Sequence, residues 1–373
     1  MIVNLIVIIL ILILGLLFSN GTSQHIDSAR NRKKYIQIVS FILILQSGLR
    51  NVAVGADTYA YFLKFEDVKT MSWSKIIEAI SEYYELGIGK DPGYLAFQKI
   101  VQIFTNEYQV FLFVIAIIFF SALGNFIYKN TTRLNDAIIA FVIYSVLFYS
   151  FFSITGHRQT IATAATLYGY ELIKKKRLFK FLFLIILAST IHKSVLIFIP
   201  FYFVVHIKKT KITYNVALIL FPFFMIYRNS LADYFKVLGG YENFETIEET
   251  GTYTFTAMFL LISIVAIFRN TTILKNNINA KHFYNAFVIA LLLIPLTWVN
   301  PNGMRVVQYF SIFMLLFIPE IIFSFENISR KVRKDITAVV IVLLFFLFIQ
   351  SNLNRSNEYD FFWNEMRLPE SYF

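Results

Sequence analysis

The chain contains no cysteine. Disulfides, thiolate nucleophiles and cysteine-ligated metals are therefore excluded. Charge is scarce too. Asp, Glu, Lys and Arg make up 15% of 373 residues, where a soluble domain carries roughly 25%. Also missing are a phosphate-binding glycine loop after a strand, an HExxH pair, a paired His/Asp metal spacing and a DxD pair of the nucleotide-sugar kind. No cofactor is expected on these grounds, and a divalent metal is left open. No basic stripe with interleaved surface aromatics is present, so nucleic acid is not an expected partner.

What is present is apolar. Hydrophobic residues form 57% of the chain, Phe alone accounts for 42 residues, and mean hydropathy is +0.63. Apolar runs fall at 2–18, 35–49, 108–128, 135–152, 158–173, 178–206, 212–228, 253–268, 282–299, 305–324 and 335–350. At 1.5 Å per helical residue, each spans or nearly spans roughly 30 Å of hydrocarbon. The expectation is an all-α polytopic integral membrane protein of about 10–12 transmembrane helices, with membrane lipid as its immediate partner. The first run has no Lys or Arg before it and no small-residue cleavage site after it, so it reads as a retained span. A single transmembrane domain over 1–373 is expected, with one long polar loop at 50–107. That loop carries a shorter apolar stretch, 93–104, read as an interfacial amphipathic helix introduced by Asp91-Pro92-Gly93.

Basic clusters set the orientation. Arg30/Arg32/Lys33/Lys34, Lys174–Arg177 and Arg330/Lys331/Arg333/Lys334 are all expected on the cytoplasmic side. This puts the N-terminus, loop 50–107 and Gly156–Arg158 outside. Segment 178–206 has basic residues on both flanks, with Lys208, Lys209 and Lys211 after it. A single span there would export the 330–334 cluster and internalise the acidic loop Asp233–Glu249. A broken, re-entrant hairpin with its tip at Thr190–Ser194 avoids both, and such breaks are tolerated where they line a protein-walled cavity. The C-terminal tail, 351–373, then also lies outside the cell membrane.

On that outer side a few charged residues stand at or near helix ends. Arg50 and Asp57 leave the second span between Gly48 and Thr58. They read either as a functional pair or as a snorkelling Arg and a turn-capping Asp. His157, Arg158 and Gln159 open another helix. An Arg in a first turn opposes the helix dipole and sits best where an anion is held; the alternative is again a snorkelling Arg. His192 and Lys193 occupy the hairpin tip, where a His suits proton transfer or a structural hydrogen bond. Arg305 repeats the Arg158 placement after Asn300-Pro301-Asn302-Gly303. Charge near a bilayer is costly and usually functional.

The order Gly48-x-Arg50, Val54-Gly55-x-Asp57-x-x-x-Tyr61, Arg158-Gln159-x-Ile161-Ala162 and Ala188-x-x-Ile191-His192-Lys193-Ser194 closely resembles the EpsG family, within the wider group of Wzy-like polysaccharide polymerases. The resemblance covers about residues 30–325. Ala56 departs from the family's frequent Thr. The resemblance implies a glycosyltransferase that assembles exopolysaccharide or capsule from polyprenyl-diphosphate-linked oligosaccharide units on the extracytoplasmic face. Flippase and chain-length-regulating proteins would be its partners in assembly. For such chemistry Arg50, Arg158 and Arg305 are candidates to hold the diphosphate. His192, then Asp57, are candidates for the general base, with His157, Gln159, Lys193 and Tyr61 in support. A lipid-linked oligosaccharide transporter would instead place charge along a path through the bilayer. A membrane O-acyltransferase would need an acyl-donor route from the cytosol.

Overall fold

The computed structural model describes residues 2–20, 25–55, 57–239, 252–325, 330–353 and 359–366. The core of the acidic loop expected outside, 240–251, and parts of the expected tail, 354–358 and 367–373, lie outside the described residues. The chain divides into two compact units, 1–193 with 342–373, and 194–341.

The first unit begins with α1 (Ile2–Asn20) and α2 (His25–Gly48), followed by three short helices: α3 (Thr58–Thr70), α4 (Trp73–Leu86) and α5 (Pro92–Gln102). The loop expected at 50–107 is therefore largely helical. Ser72 caps α4 by accepting the Lys75 amide at 3.3 Å, and Gly87 ends it in the left-handed conformation at φ 70°. Such a glycine stop suits a backbone that a side chain would strain. α6 (Tyr108–Asn130) packs most extensively on α2 and on α8 (His157–Lys174). Between them α7 (Leu134–Ile143) runs on through two π-helical stretches, Tyr144–Phe148 and Ser150–Thr155. α9 (Leu178–Ile191) then packs against α8 and α5.

The wide turns of the π segment present carbonyls to neighbouring side chains. Ser47 donates to Ser153 O at 2.8 Å and Thr160 to Phe152 O at 3.0 Å. Ile154 O accepts from Arg50 and Thr58, each at 3.1 Å. The end of the chain also docks here. Asn51 N–H donates to Asp360 O at 2.8 Å, Phe362 N–H to Leu49 O at 2.9 Å, and Tyr359 OH to Gln46 O at 2.7 Å. The tail thus fastens onto the chain as it leaves α2.

In the second unit a 3-10 segment, Lys193–Phe198, whose first residue closes the first unit, leads to α10 (Phe201–Val204), α11 (Thr210–Ile226), α12 (Arg228–Gly239) and α13 (Tyr253–Asn276). α14 (Ala280–Leu293) is largely buried, and a 3-10 turn, Ile294–Trp298, precedes α15 (Gly303–Ser311) and α16 (Met314–Phe323). Asn285 on α14 donates to Val205 O at 2.9 Å and Ile207 O at 3.0 Å, and Tyr284 OH donates to Ala266 O at 2.7 Å. Polar side chains thus tie the helices by satisfying loose main-chain carbonyls, the arrangement a low-dielectric surrounding rewards. α17 (Arg330–Leu353) runs from this unit into the first.

The all-helical, multi-span architecture agrees with the expectation. Among the described residues, four helices are long and apolar enough to cross a membrane: Ile2–Ser19, Tyr108–Asn130, Tyr253–Asn276 and Ala280–Trp298. Two bent pairs, α11 with Arg228–Tyr234 at 87° and α15 with α16 at 47°, raise the number to six. Other apolar runs fold as shorter apolar helices: 135–152 begins with Leu134–Phe148, and 178–206, expected as a broken hairpin, gives Leu178–Ile191 and Lys193–Val204 on either side of an extended His192. Leu134–Phe148 and Leu178–Ile191 are shorter than the six because further π turns follow the first and an extended His192 stops the second. Large apolar side chains such as Phe179 (86% exposed) and Phe268 (82%) face outward, as lipid contact permits and water does not.

Candidate functional site

Arg158, His192 and Lys193, three of the residues expected on the outer side, come together around one residue that was not singled out, Asp91. Asp91 precedes α5 and is buried, with a left-handed φ of 51°. Asp is one of the few side chains that adopt this conformation, and the following Pro92 starts the helix with a preset φ. The backbone there is fixed from the other side by Gly93. A Cβ at Gly93 would lie 2.6 Å from Thr190 Cβ and 2.8 Å from the Thr190 carbonyl carbon. Only glycine lets the first turn of α5 lie this close to the last turn of α9.

That contact brings the Asp91 carboxylate to the end of α9. The helix stops at Ile191, and His192 is extended (φ −155°, ψ 104°). One carboxylate oxygen of Asp91 accepts the Lys193 amide at 3.2 Å. The other lies 3.4 Å from His192 Nδ1 and accepts Arg158 Nη1 at 2.7 Å. Burial by itself would raise the Asp91 carboxyl. The His192 hydrogen bond, the charge of His192 when its ring is protonated, the Arg158 charge and the Lys193 amide outweigh it and hold the group below its ordinary value.

A second, adjoining layer surrounds His157, the first residue of α8. Tyr61 stacks on its ring at 4.5 Å between centroids and 15° between planes, and the Arg158 Cζ lies 5.7 Å from the centre of the Tyr61 ring. Arg50 Nη2 lies 2.7 Å from His157 Nε2. A guanidinium only donates, so Nε2 accepts and the ring is the neutral tautomer with its proton on Nδ1. That proton faces Tyr94 OH at 3.4 Å. Burial raises the Tyr94 phenol well above its ordinary value.

The expected site residues divide accordingly. Arg158, His192, Lys193, Tyr61 and His157 are brought together. Arg50 is 2% exposed and directs its guanidinium to protein groups: the Ser47 carbonyl, Ser47 Oγ at 3.2 Å, Ile154 O and His157. It braces the turn that holds His157. Asp57 is the half-buried N-cap residue of α3, and Gln159 is buried in the first turn of α8. Arg305 belongs to the second unit, half-buried in the first turn of α15. Asp91 and Tyr94 escaped the sequence reading, which used Asp-Pro-Gly only to begin a helix. The available signal was that same tripeptide, an acidic side chain fixed where a basic helix start must find a counter-charge. Among the described residues no group of three or more His, Asp or Glu side chains is arranged to hold a metal ion.

Apolar helices long enough to cross a bilayer and a buried charged cluster at helix ends define a multi-pass membrane protein. The EpsG family profile matches residues 33–364, and the chain belongs to that family, membrane proteins of exopolysaccharide synthesis. No curated protein and no solved structure gives a significant match.

Proposed function

We propose that the protein is a glycosyltransferase that joins polyprenyl-diphosphate-linked oligosaccharide units into exopolysaccharide or capsule. The cluster and both chain ends face the extracytoplasmic side. In the reaction a hydroxyl oxygen of the acceptor sugar attacks the anomeric carbon of the donor, and the bond from that carbon to the diphosphate breaks. The hydroxyl proton passes to a base, and polyprenyl diphosphate leaves. Arg158 holds the diphosphate and offsets the charge that develops on it, since a guanidinium fork pairs with phosphate oxygens and stays ionised. His192 takes the proton, with Asp57 as second candidate. Tyr61 and His157 keep the Arg158 side chain aimed by stacking, and Arg50 fixes His157. Lys193 and Gln159 support the ends of the two helices, and the reading rests on the first unit alone.

The observation that carries this reading is the meeting of Arg158 and His192 on one buried carboxylate, at 2.7 and 3.4 Å. A cation for the leaving group and a base for the nucleophile thus stand a few ångströms apart. The test is incubation of the purified protein in detergent or nanodiscs with a polyprenyl-diphosphate oligosaccharide. A ladder of longer lipid-linked products is expected, lost in Arg158→Ala. A transporter would leave single units unchanged in length.

A further inference from the structure

We propose that Asp91 is the positioning residue of this site. Its carboxylate accepts a hydrogen bond from His192 Nδ1–H, so that His192 acts through Nε2, and it holds the Arg158 guanidinium beside that ring. The inference rests on the polymerase reading for its consequence in turnover, and on the geometry alone for the state of the ring.

Three independent features fix the carboxylate. The backbone is in the left-handed region at Asp91, and strain of that kind is stored where the surroundings over-determine it. Gly93 permits an approach to Thr190 that any Cβ would prevent. Both carboxylate oxygens are engaged, one by the Lys193 amide and one by Arg158 and His192 together. A group held this firmly, only 3% exposed, does not rotate away when its neighbours work. An imidazole hydrogen-bonded through Nδ1 to a carboxylate keeps its lone pair on Nε2, the logic by which a buried acid orients a histidine base elsewhere. The 3.4 Å separation is long, as such contacts commonly are before substrate binds. Arg158 shares the same oxygen, so one side chain sets the spacing between the diphosphate-holding cation and the base. The other charged and titratable groups around it among the described residues include Lys193, His157, Arg50, Tyr61, Tyr83, Tyr94 and Tyr108.

Asp91→Asn is the informative variant, because asparagine also adopts the left-handed conformation and keeps the size of the side chain while removing the charge. With polyprenyl-diphosphate oligosaccharide as substrate, turnover falls about 100-fold, the lower end of what a positioned base contributes, while KM stays within about threefold. The acid limb of the pH–rate profile moves to lower pH, since the lost carboxylate favoured the protonated ring. Unchanged turnover overturns the proposal. So does a fall in turnover with the acid limb unmoved, which marks a purely structural role. Histidine ring-nitrogen NMR on the full-length wild-type protein, with His192 assigned by comparison with His192→Gln, is decisive without any activity. A proton on Nδ1 in the neutral ring is expected, and a proton on Nε2 overturns the proposal. If the wild type forms no ladder, the polymerase reading fails by itself and the NMR result still decides the role of Asp91.

Discussion

Separating Arg158 from Asp91 should cost far more than an ion pair on a water-exposed surface does. The two side chains meet at 2.7 Å with 19% and 3% of their surfaces exposed. Unit charges at about 4 Å interact by about 4 kcal/mol at an effective dielectric constant near 20, whereas exposed pairs are worth about 0–1 kcal/mol. Removing one member of a fully buried pair costs about 3–5 kcal/mol, because the remaining charge is stranded. Two features reduce that here. Arg158 keeps some access to solvent, and Asp91 retains the Lys193 amide and His192. The expectation is a loss of about 2–3 kcal/mol for Arg158→Gln, about 1–2 kcal/mol for Asp91→Asn, and a coupling of about 2 kcal/mol between them. A double-mutant cycle read by reversible SDS-induced unfolding in mixed micelles measures all three. Coupling below about 0.5 kcal/mol, the scatter of independent sites, would mean that solvent screens the pair, and the buried-cluster argument would fall with it.

Gly93→Ala drives a methyl into Thr190 and should cost about 1–3 kcal/mol as overpacking; because it also moves Asp91, polymer yield should fall at least about tenfold at normal membrane levels, and a wild-type ladder length would refute the close-approach argument. Arg158→Lys keeps a positive charge but not the planar fork, so turnover in the ladder assay should drop about tenfold or more. The depressed Asp91 carboxyl contributes stability that is fully present above its unfolded value of about 3.9 and is lost as pH falls through the lower folded value. The wild type should therefore lose more stability than Asp91→Asn as pH is lowered from about 4.5 towards 3, and parallel curves would contradict this. Deleting the chain from Tyr359 onward removes the contacts to Gln46, Leu49 and Asn51, and a fall in thermal midpoint of about 2–4 °C, roughly 1 kcal/mol in a unit of this size, is expected by light-scattering or fluorescence melting.

Much of this molecule is legible in its sequence because bilayer thickness and backbone hydrogen bonding leave few choices. Continuous apolar runs must be helical, and the EpsG family motifs fall where helices end. The number of crossings is less legible, since hydropathy does not register a π or 3-10 turn. Segment 135–152 reads as one apolar run, yet it is an α-helix followed by π turns. Arg158 and His192 stand out as charges at helix boundaries. Asp91 does not, because its importance lies in a fold-dependent approach between Gly93 and Thr190, 97 positions apart in the chain. Arg50 was legible as unusual but not in its partners, because main-chain carbonyls that become available through π geometry leave no mark in sequence.

The stretch from Tyr144 to Thr155 contains no ionisable group apart from its tyrosines, yet it supplies the main-chain acceptors that hold Arg50, Ser47, Thr58 and Thr160 beside His157. Its turns close from Tyr149 N–H to Tyr144 O and from Gly156 N–H to Phe151 O, each enclosing one residue more than an α-turn does. Excising a single residue there would let a π turn relax to ordinary winding and withdraw the carbonyls of Phe152, Ser153 and Ile154 from Thr160, Ser47, Arg50 and Thr58, so that the bracing around His157 would be lost with every functional side chain intact. Length changes should therefore be tolerated least in an oily segment that a search for chemistry would pass over.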